Sequence, residues 1–334
     1  MKIGIAGTGR MGTAIAQRLL ETGHEVAVWN RSIDNARDAR EAGAKWTPTP
    51  GELASDADVV ITSLFDDAAV EHVYLGTDGL LMSRVGGRLF IDMSTVTPAI
   101  HARIAVVTQS RKAGFIECPV SGSVPAARSG ALVGFVGGEA FDFARARPVL
   151  ERLCRRVERV GPLGAGARMK LAANLLLAVF WQALGESLFL LDPADVDTTR
   201  VVDLLADSNI GAAVLKSRAP QVVASMVGKS SDAAAFDVDT MRKDLRYIAQ
   251  EASEHGSALP LANRTLECFD RASRAGGGRV DSVAYPAYWI AQQKGANGGV
   301  QASRLGPDIA HEPPRPVSRP VTAATRVGEC EMCP

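Results

Sequence analysis

The sequence predicts an α/β N-terminal domain built on a parallel, doubly wound sheet, followed by an all-α C-terminal domain. Three observations carry this. In the first half, short β-branched runs alternate with amphipathic stretches, and such alternation marks a parallel sheet covered on both faces by helices. A glycine-rich turn, Gly7-Thr8-Gly9-Arg10-Met11-Gly12, separates the first strand from the first helix. After Gly161-Pro162-Leu163-Gly164 the β pattern stops and long Ala- and Leu-rich segments follow. With 334 residues the chain exceeds one average domain, so two globular units are expected.

Taken in order, the strands are expected at 2–6, 25–30, 59–64, 88–93 and 131–138, each a short Val-, Ile- or Leu-containing run between turn residues. Helices are expected between them at 10–22, 32–42, 66–74 and 98–113. In the second half, apolar residues recur at helical spacing over 168–191, 198–208, 233–255, 261–275 and 282–294. The division is thus 1–162 for the sheet domain and 163–295 for the helical domain. Residues 296–334 are rich in Gly, Pro and Arg and lack periodicity, so they are expected to form a flexible tail that buries too little apolar surface to offset its ordering entropy. The tail carries Cys330-Glu331-Met332-Cys333, which is half a zinc site and reads as incidental.

Composition narrows the partners. Hydrophobic residues make up 46% and charged residues 22%, an ordinary globular balance. The 37 Lys plus Arg cancel the 37 Asp plus Glu, so no basic excess points to nucleic acid or an anionic membrane. Five cysteines form no disulfide framework and the N-terminus runs directly into a strand, which together suggest a reducing, cytoplasmic setting. The apolar stretch 171–191 has membrane-spanning length but contains Asn174, Gln182 and Glu186, so a buried core helix is expected. Its excess of nonpolar surface implies subunit contact, as a homodimer or homotetramer. The five histidines are scattered without paired spacing, and neither a metal nor a histidine acid/base is assigned.

The glycine turn has the context that a dinucleotide site needs. Gly7 makes the tight turn, Gly9 lets backbone approach a pyrophosphate, and Gly12 lets the helix pack on the strand, with Thr8, Arg10 and Met11 completing the loop. This is the fingerprint of a Rossmann domain. The second strand ends Asn30-Arg31-Ser32, where an NAD site usually places a carboxylate for the ribose 2′-hydroxyl. An uncharged Asn30, a guanidinium on Arg31 and a hydroxyl on Ser32 suit a 2′-phosphate instead, so NADP(H) is the expected cofactor, with NAD(H) the alternative.

Four further segments are Asp92-Met93-Ser94-Thr95, Cys118-Pro119-Val120-Ser121-Gly122, the turn 161–166 leading to Lys170-Leu171-Ala172-Ala173-Asn174, and Lys243-Asp244-Leu245. With the glycine turn, their order and spacing resemble the β-hydroxyacid dehydrogenase family, which includes 3-hydroxyisobutyrate dehydrogenases and glyoxylate or succinic semialdehyde reductases. The resemblance covers residues 1–293. It implies that Ser121 and Gly122 hold a substrate carboxylate, that Thr95 lies by nicotinamide and substrate, that Lys170 is the catalytic acid/base assisted by Asn174, and that Lys243 lines the cofactor site. Independently, residues 170 and 174 are one helical turn apart and project from one face.

The implied activity is NADP-dependent hydride transfer to a small oxo-acid or semialdehyde, with a small carboxylate-bearing substrate as partner. Two rivals are an imine reductase, whose family usually replaces the lysine, and an idle NADP-binding module with a partner-recruiting tail. Phe236 is left open between the pocket and the core. Ser123, Ala126 and Ala131 stand where the resembled loop commonly has Gly, Gly and Thr, which leaves the substrate unassigned.

Overall fold

In this computed structural model the described residues are 1–190, 197–208, 212–229, 234 and 236–298. Met1–Gln293 forms one compact unit. The sheet half runs β1 (Lys2–Ala6), α1 (Arg10–Glu21), β2 (Glu25–Trp29), α2 (Arg37–Glu41), β3 (Lys45–Trp46), α3 (Pro50–Asp56), β4 (Val59–Thr62), α4 (Asp67–Leu75), β5 (Leu89–Asp92), α5 (Pro98–Ser110), β6 (Gly114–Glu117), β7 (Val120–Ser121), α6 (Val124–Arg128), β8 (Leu132–Gly138), α7 (Ala140–Leu153) and β9 (Cys154–Gly161). The helical half follows as α8 (Ala165–Phe189), α9 (Thr198–Asp207), α10 (Ala213–Met226), α11 (Val238–Glu254), α12 (Pro260–Arg274) and α13 (Tyr285–Gly298).

The sheet has the order β3-β2-β1-β4-β5-β6-β8-β7, with β9 also paired to β8. Strands β1 to β6 are mutually parallel. The doubly wound expectation holds there, whereas β8 runs antiparallel to β6 and β7 and makes the sheet mixed. Alternation along each strand builds two cores. Ile3, Ile5, Val59, Ile61, Leu89, Ile91 and Ile116 face one side with Ile15 and Leu19 of α1. Val60, Phe90 and Phe115 face the other with Leu53, Val70 and Tyr74. This is the period-2 pattern of a strand buried on both faces.

The helical half buries a third core in which α8 supplies Leu171, Ala178, Trp181, Leu184 and Leu188. Although α8 is long and apolar enough to cross a membrane, its mid-helix amide and carboxylate are paired within the protein. Tyr285 donates to Gln182 Oε1 at 2.6 Å, and Gln182 Nε2 donates to Glu186 at 2.6 Å. Phe236 packs against this core.

Several elements depart from expectation. The helix expected over 32–42 is a 3₁₀ turn, Ile33–Ala36, followed by the short α2. The helix expected from 233 begins at Val238, where the Asp237 side chain accepts from Thr240 N–H, while 230–233 lie outside the described residues. Helix α13 runs Tyr285–Gly298 where 282–294 was expected. The remainder of the expected tail, 299–334 with its Cys330 and Cys333, lies outside the described residues.

Candidate active site

The glycine turn is built as its residue types require. Gly7 has φ +96°, and a Cβ there would collide with the Ser63 carbonyl. A Cβ on Gly12 would collide with the Gly7 carbonyl, so helix and turn are in direct backbone contact. A Cβ on Gly9, by contrast, meets nothing within 4 Å. Gly9 is exposed at the N-terminus of α1, whose first turn carries no acidic residue. Open space beside unpaired backbone N–H groups at the positive end of a helix is what a pyrophosphate occupies. Thr8 is buried, and among the described residues its Oγ1 has no hydrogen-bond partner, so the loop carries an uncommitted hydroxyl. Arg10 is exposed, and Met11 packs against the core. These residues fit a dinucleotide.

At the end of β2 the three polar residues divide their tasks. Asn30 Oδ1 accepts from Thr8 N–H at 3.1 Å, and its Nδ2 donates to the Ser32 carbonyl at 3.0 Å. The Asn30 amide thus ties the glycine turn to the loop that follows β2, which sequence spacing did not reveal. Arg31 and Ser32 are exposed.

The second part of the site lies where sheet and helical halves meet. Lys170 is half-buried on α8, and among the described residues its ammonium has no hydrogen-bond acceptor. Burial pulls it below the usual lysine range; the Asp244 carboxylate opposes this, and the Lys243 ammonium adds to it. One turn along α8, Asn174 is 4% exposed and donates through Nδ2 to Asp244 Oδ2 at 2.6 Å. Asp244 is itself buried, and its Oδ1 lies 3.0 Å from Lys243 Nζ. Lys243 donates to the Thr95 carbonyl at 2.7 Å and sits over the rings of Phe65 and Tyr247, at 5.4 and 5.2 Å. A continuous polar chain therefore joins Asn174, Asp244, Lys243 and Thr95.

Ser121 and Gly122 lie in and just after β7, which pairs with β8, and the start of α8 packs on β8. Gly122 has φ +137°, and a Cβ on it would lie 2.7 Å from Leu132 Cδ2 and 3.2 Å from Ala126 Cβ. Ala126, one of the departures noted above, is thus in the layer directly behind this turn. Residues 2–161 match the family model described as the NAD binding domain of 6-phosphogluconate dehydrogenase, and residues 164–289 match that described as NAD-binding of NADP-dependent 3-hydroxyisobutyrate dehydrogenase. The chain belongs to the β-hydroxyacid dehydrogenase family.

Its relatives agree with this placement. The chain is 30% identical over 286 residues to a probable mitochondrial 3-hydroxyisobutyrate dehydrogenase of Dictyostelium discoideum, covering 85% of this chain and 89% of that protein. It is 30% identical over 284 residues to glyoxylate/succinic semialdehyde reductase 1 of Arabidopsis thaliana, covering 85% and 96%. Among solved structures, 3-hydroxyisobutyrate dehydrogenase from Salmonella typhimurium superposes with a TM-score of 0.77 at 26% identity, covering 86% and 99%. This β-hydroxyacid dehydrogenase is an NAD(P)-dependent oxidoreductase acting on a hydroxyl group, with a nicotinamide dinucleotide as cofactor.

Of the expected residues, the structure joins Thr95 to Lys243 directly and Asn174 to the same chain through Asp244. Ser121 and Gly122 make no direct bond to Lys170 among the described residues, and are linked to it through the packing of β7, β8 and α8 and through Glu117, which accepts from Gly166 N–H. Phe65 and Tyr247 were missed. Phe65 is 56% exposed, and Tyr247 accepts from Asp67 N–H at 3.2 Å, which pins α11 to the start of α4. Phe65 lies three residues past the end of β4, at the carboxyl edge where parallel sheets bind ligands, and that position was the available signal. Among the described residues no group of three or more His, Cys, Asp or Glu side chains is placed to hold a metal ion.

Proposed function

We propose that the chain is an NADP-dependent reductase of small oxo-acids or semialdehydes in which Lys170 is the acid/base. The observation that carries this reading is the setting of Lys170: a half-buried ammonium without a protein acceptor among the described residues, beside the Asn174–Asp244–Lys243 chain that ends on Thr95. When bound, the dihydronicotinamide supplies a hydride to the substrate carbonyl carbon. Lys170 donates from Nζ to the carbonyl oxygen as negative charge develops there, a contribution typically of about 10² to 10⁴ in rate. Its lowered pKa also eases proton removal in the oxidative direction. Because the Nδ2 of Asn174 is committed to Asp244, its carbonyl oxygen is left to accept from the Lys170 ammonium or the product hydroxyl.

The Ser121 hydroxyl and the Gly122 N–H would hold the substrate carboxylate, with Thr95 between substrate and ring. Arg31 and Ser32 would hold the 2′-phosphate, and Lys243 would line the cofactor cleft. The reading takes 1–162 as the cofactor-binding part and 163–295 as the helical part, in a cytoplasmic homo-oligomer. Steady-state assays with NADPH and NADH against glyoxylate, succinic semialdehyde, tartronate semialdehyde and methylmalonate semialdehyde test it. Turnover of at least one with NADPH preferred is expected. NADPH binding without turnover of any would overturn the reading.

A further inference from the structure

Behind the residues assigned to substrate and cofactor lies a buried charged triad. His101 on α5 is fully buried. Its Nε2 lies 2.6 Å from Asp92 Oδ2, and its Nδ1 pairs with Glu117 Oε2. A neutral imidazole has one donor and one acceptor, so two flanking carboxylates call for a proton on each ring nitrogen. Burial by itself works against that charge, but hydrogen bonds and charge from Asp92 and Glu117 outweigh it and push the imidazole up to about 9. Asp92 is also buried, yet His101, Thr62 and Ser94 hold its carboxyl below the usual range. Thr62 Oγ1 donates to it at 2.5 Å and Ser94 Oγ at 2.7 Å.

The positions of the carboxylates give this triad a reach beyond the core. Asp92 ends β5 immediately before Met93-Ser94-Thr95, and Glu117 ends β6 immediately before Cys118-Pro119-Val120-Ser121-Gly122. Glu117 Oε1 also accepts from Gly166 N–H at 2.8 Å, in the first turn of α8, one turn before Lys170. The approach is close enough that a Cβ on Gly166 would collide with the Phe135 carbonyl. One imidazolium therefore ties two strand ends together and, through Glu117, ties both to the helix that carries Lys170. Without it two buried carboxylates would face each other uncompensated, an arrangement that must rearrange or take up a proton.

We infer that His101 is a positioning residue: out of reach of substrate and cofactor, it holds the Ser94-Thr95 turn, the Ser121-Gly122 turn and the start of the Lys170 helix in register. What those segments do rests on the function proposed above, whereas their being tied together does not.

The test is the full-length His101→Gln protein. Hydrogen–deuterium exchange read by mass spectrometry is expected to speed up in peptides covering 93–97, 118–123 and 163–170, while peptide 2–22 stays native-like. In the same protein kcat/KM for the oxo-acid should fall about tenfold or more through both kcat and KM, because small misplacements at a reacting centre are costly. The Kd for NADPH, read by fluorescence, should rise less than kcat/KM falls, by about fivefold at most, since Thr95 meets the nicotinamide end alone while the glycine turn at 7–12 keeps its own contacts. A role confined to stability would lower Tm while leaving kcat, KM and those three peptides native-like well below the melt, and that result overturns the inference. If His101→Gln does not fold, Glu117→Gln, which keeps a carbonyl for Gly166 N–H, is read in the same way. Exchange is measured without substrate, so a native protein that turns over no oxo-acid counts against the functional reading alone.

Discussion

Lys170 and Arg31 show how differently two basic side chains act when one is half-buried and the other exposed. Burial and the neighbouring Lys243 lower the proton affinity of Lys170, with Asp244 acting against them. On the proposed reading the reductive direction needs Lys170 protonated, so kcat/KM for reduction should fall as pH rises through a pKa below the ordinary 10.5, and the oxidative direction should rise over the same interval. Lys170→Ala should remove this pH dependence and lower kcat by about 100-fold or more, with NADPH binding retained. Stopped-flow hydride transfer at native speed in that variant would end the assignment. Arg31, exposed and next to the Asn30 brace, should act on binding alone. A charge-assisted hydrogen bond to phosphate is worth about 1.5 to 3 kcal/mol, so Arg31→Ala should cost roughly ten- to hundredfold in kcat/KM for NADPH through KM, and leave NADH almost unaffected. Unchanged discrimination between the cofactors would make Arg31 an ordinary surface residue. Both side chains were singled out in the sequence, Arg31 by its place at the end of the second strand and Lys170 by the family resemblance of the segment that carries it. His101 was not, since its partners Asp92 and Glu117 come from other elements and meet it only when the sheet closes.

At the scale of elements, legibility followed the strength of the local pattern. Strands β1, β2, β4, β5 and β8 are apolar runs and were read from the sequence. Strand β6, Gly-Phe-Ile-Glu, is buried throughout but too short to stand out. Strand β9 reads Cys-Arg-Arg-Val-Glu-Arg-Val-Gly and keeps most of its side chains exposed, so its place is set by pairing with β8 rather than by its own hydrophobicity. Helices α7 and α10 contain Pro148 and Pro220, and an internal proline argues against a helix wherever tertiary packing does not override it. The β1–α1 turn is the opposite case, because its glycines state their reasons individually. Gly12→Ala should therefore lower Tm by several degrees, since the new Cβ collides with the Gly7 carbonyl and helix and strand must part. Gly9→Ala meets open space in the free protein and should melt at the native temperature, yet weaken NADPH binding by about tenfold or more where the phosphates approach. Thermal melts of the free proteins beside fluorescence titrations separate the two. Equal effects of both substitutions on Tm would show that the open space at Gly9 is not kept for a ligand.

At the scale of the whole molecule, α8 is the element on which the other conclusions converge. Its inner side fills the helical core with Leu171, Ala178 and Trp181, and its first turn is held by Glu117. Its outer side leaves Met169 44% and Leu176 74% exposed. Residues 169, 176 and the partly buried Phe180 recur at i, i+7 and i+11, so they form one stripe along the helix. On the homo-oligomeric reading proposed above this stripe is the subunit interface, and a two-fold axis is the commonest way for identical chains to cover one. Burying a leucine side chain contributes about 1.5 to 3 kcal/mol, and across a two-fold interface each substitution is made twice. Leu176→Glu should thus weaken self-association by about 3 kcal/mol or more, which is over a hundredfold in Kd. Light scattering after size exclusion at tens of micromolar should then show the native protein as a dimer or tetramer and the variant shifted towards monomer, and the Tm of the native protein should rise with its concentration. A native protein that is monomeric across that range, or a variant with unchanged mass, would mean that the outer stripe of α8 is simply solvated.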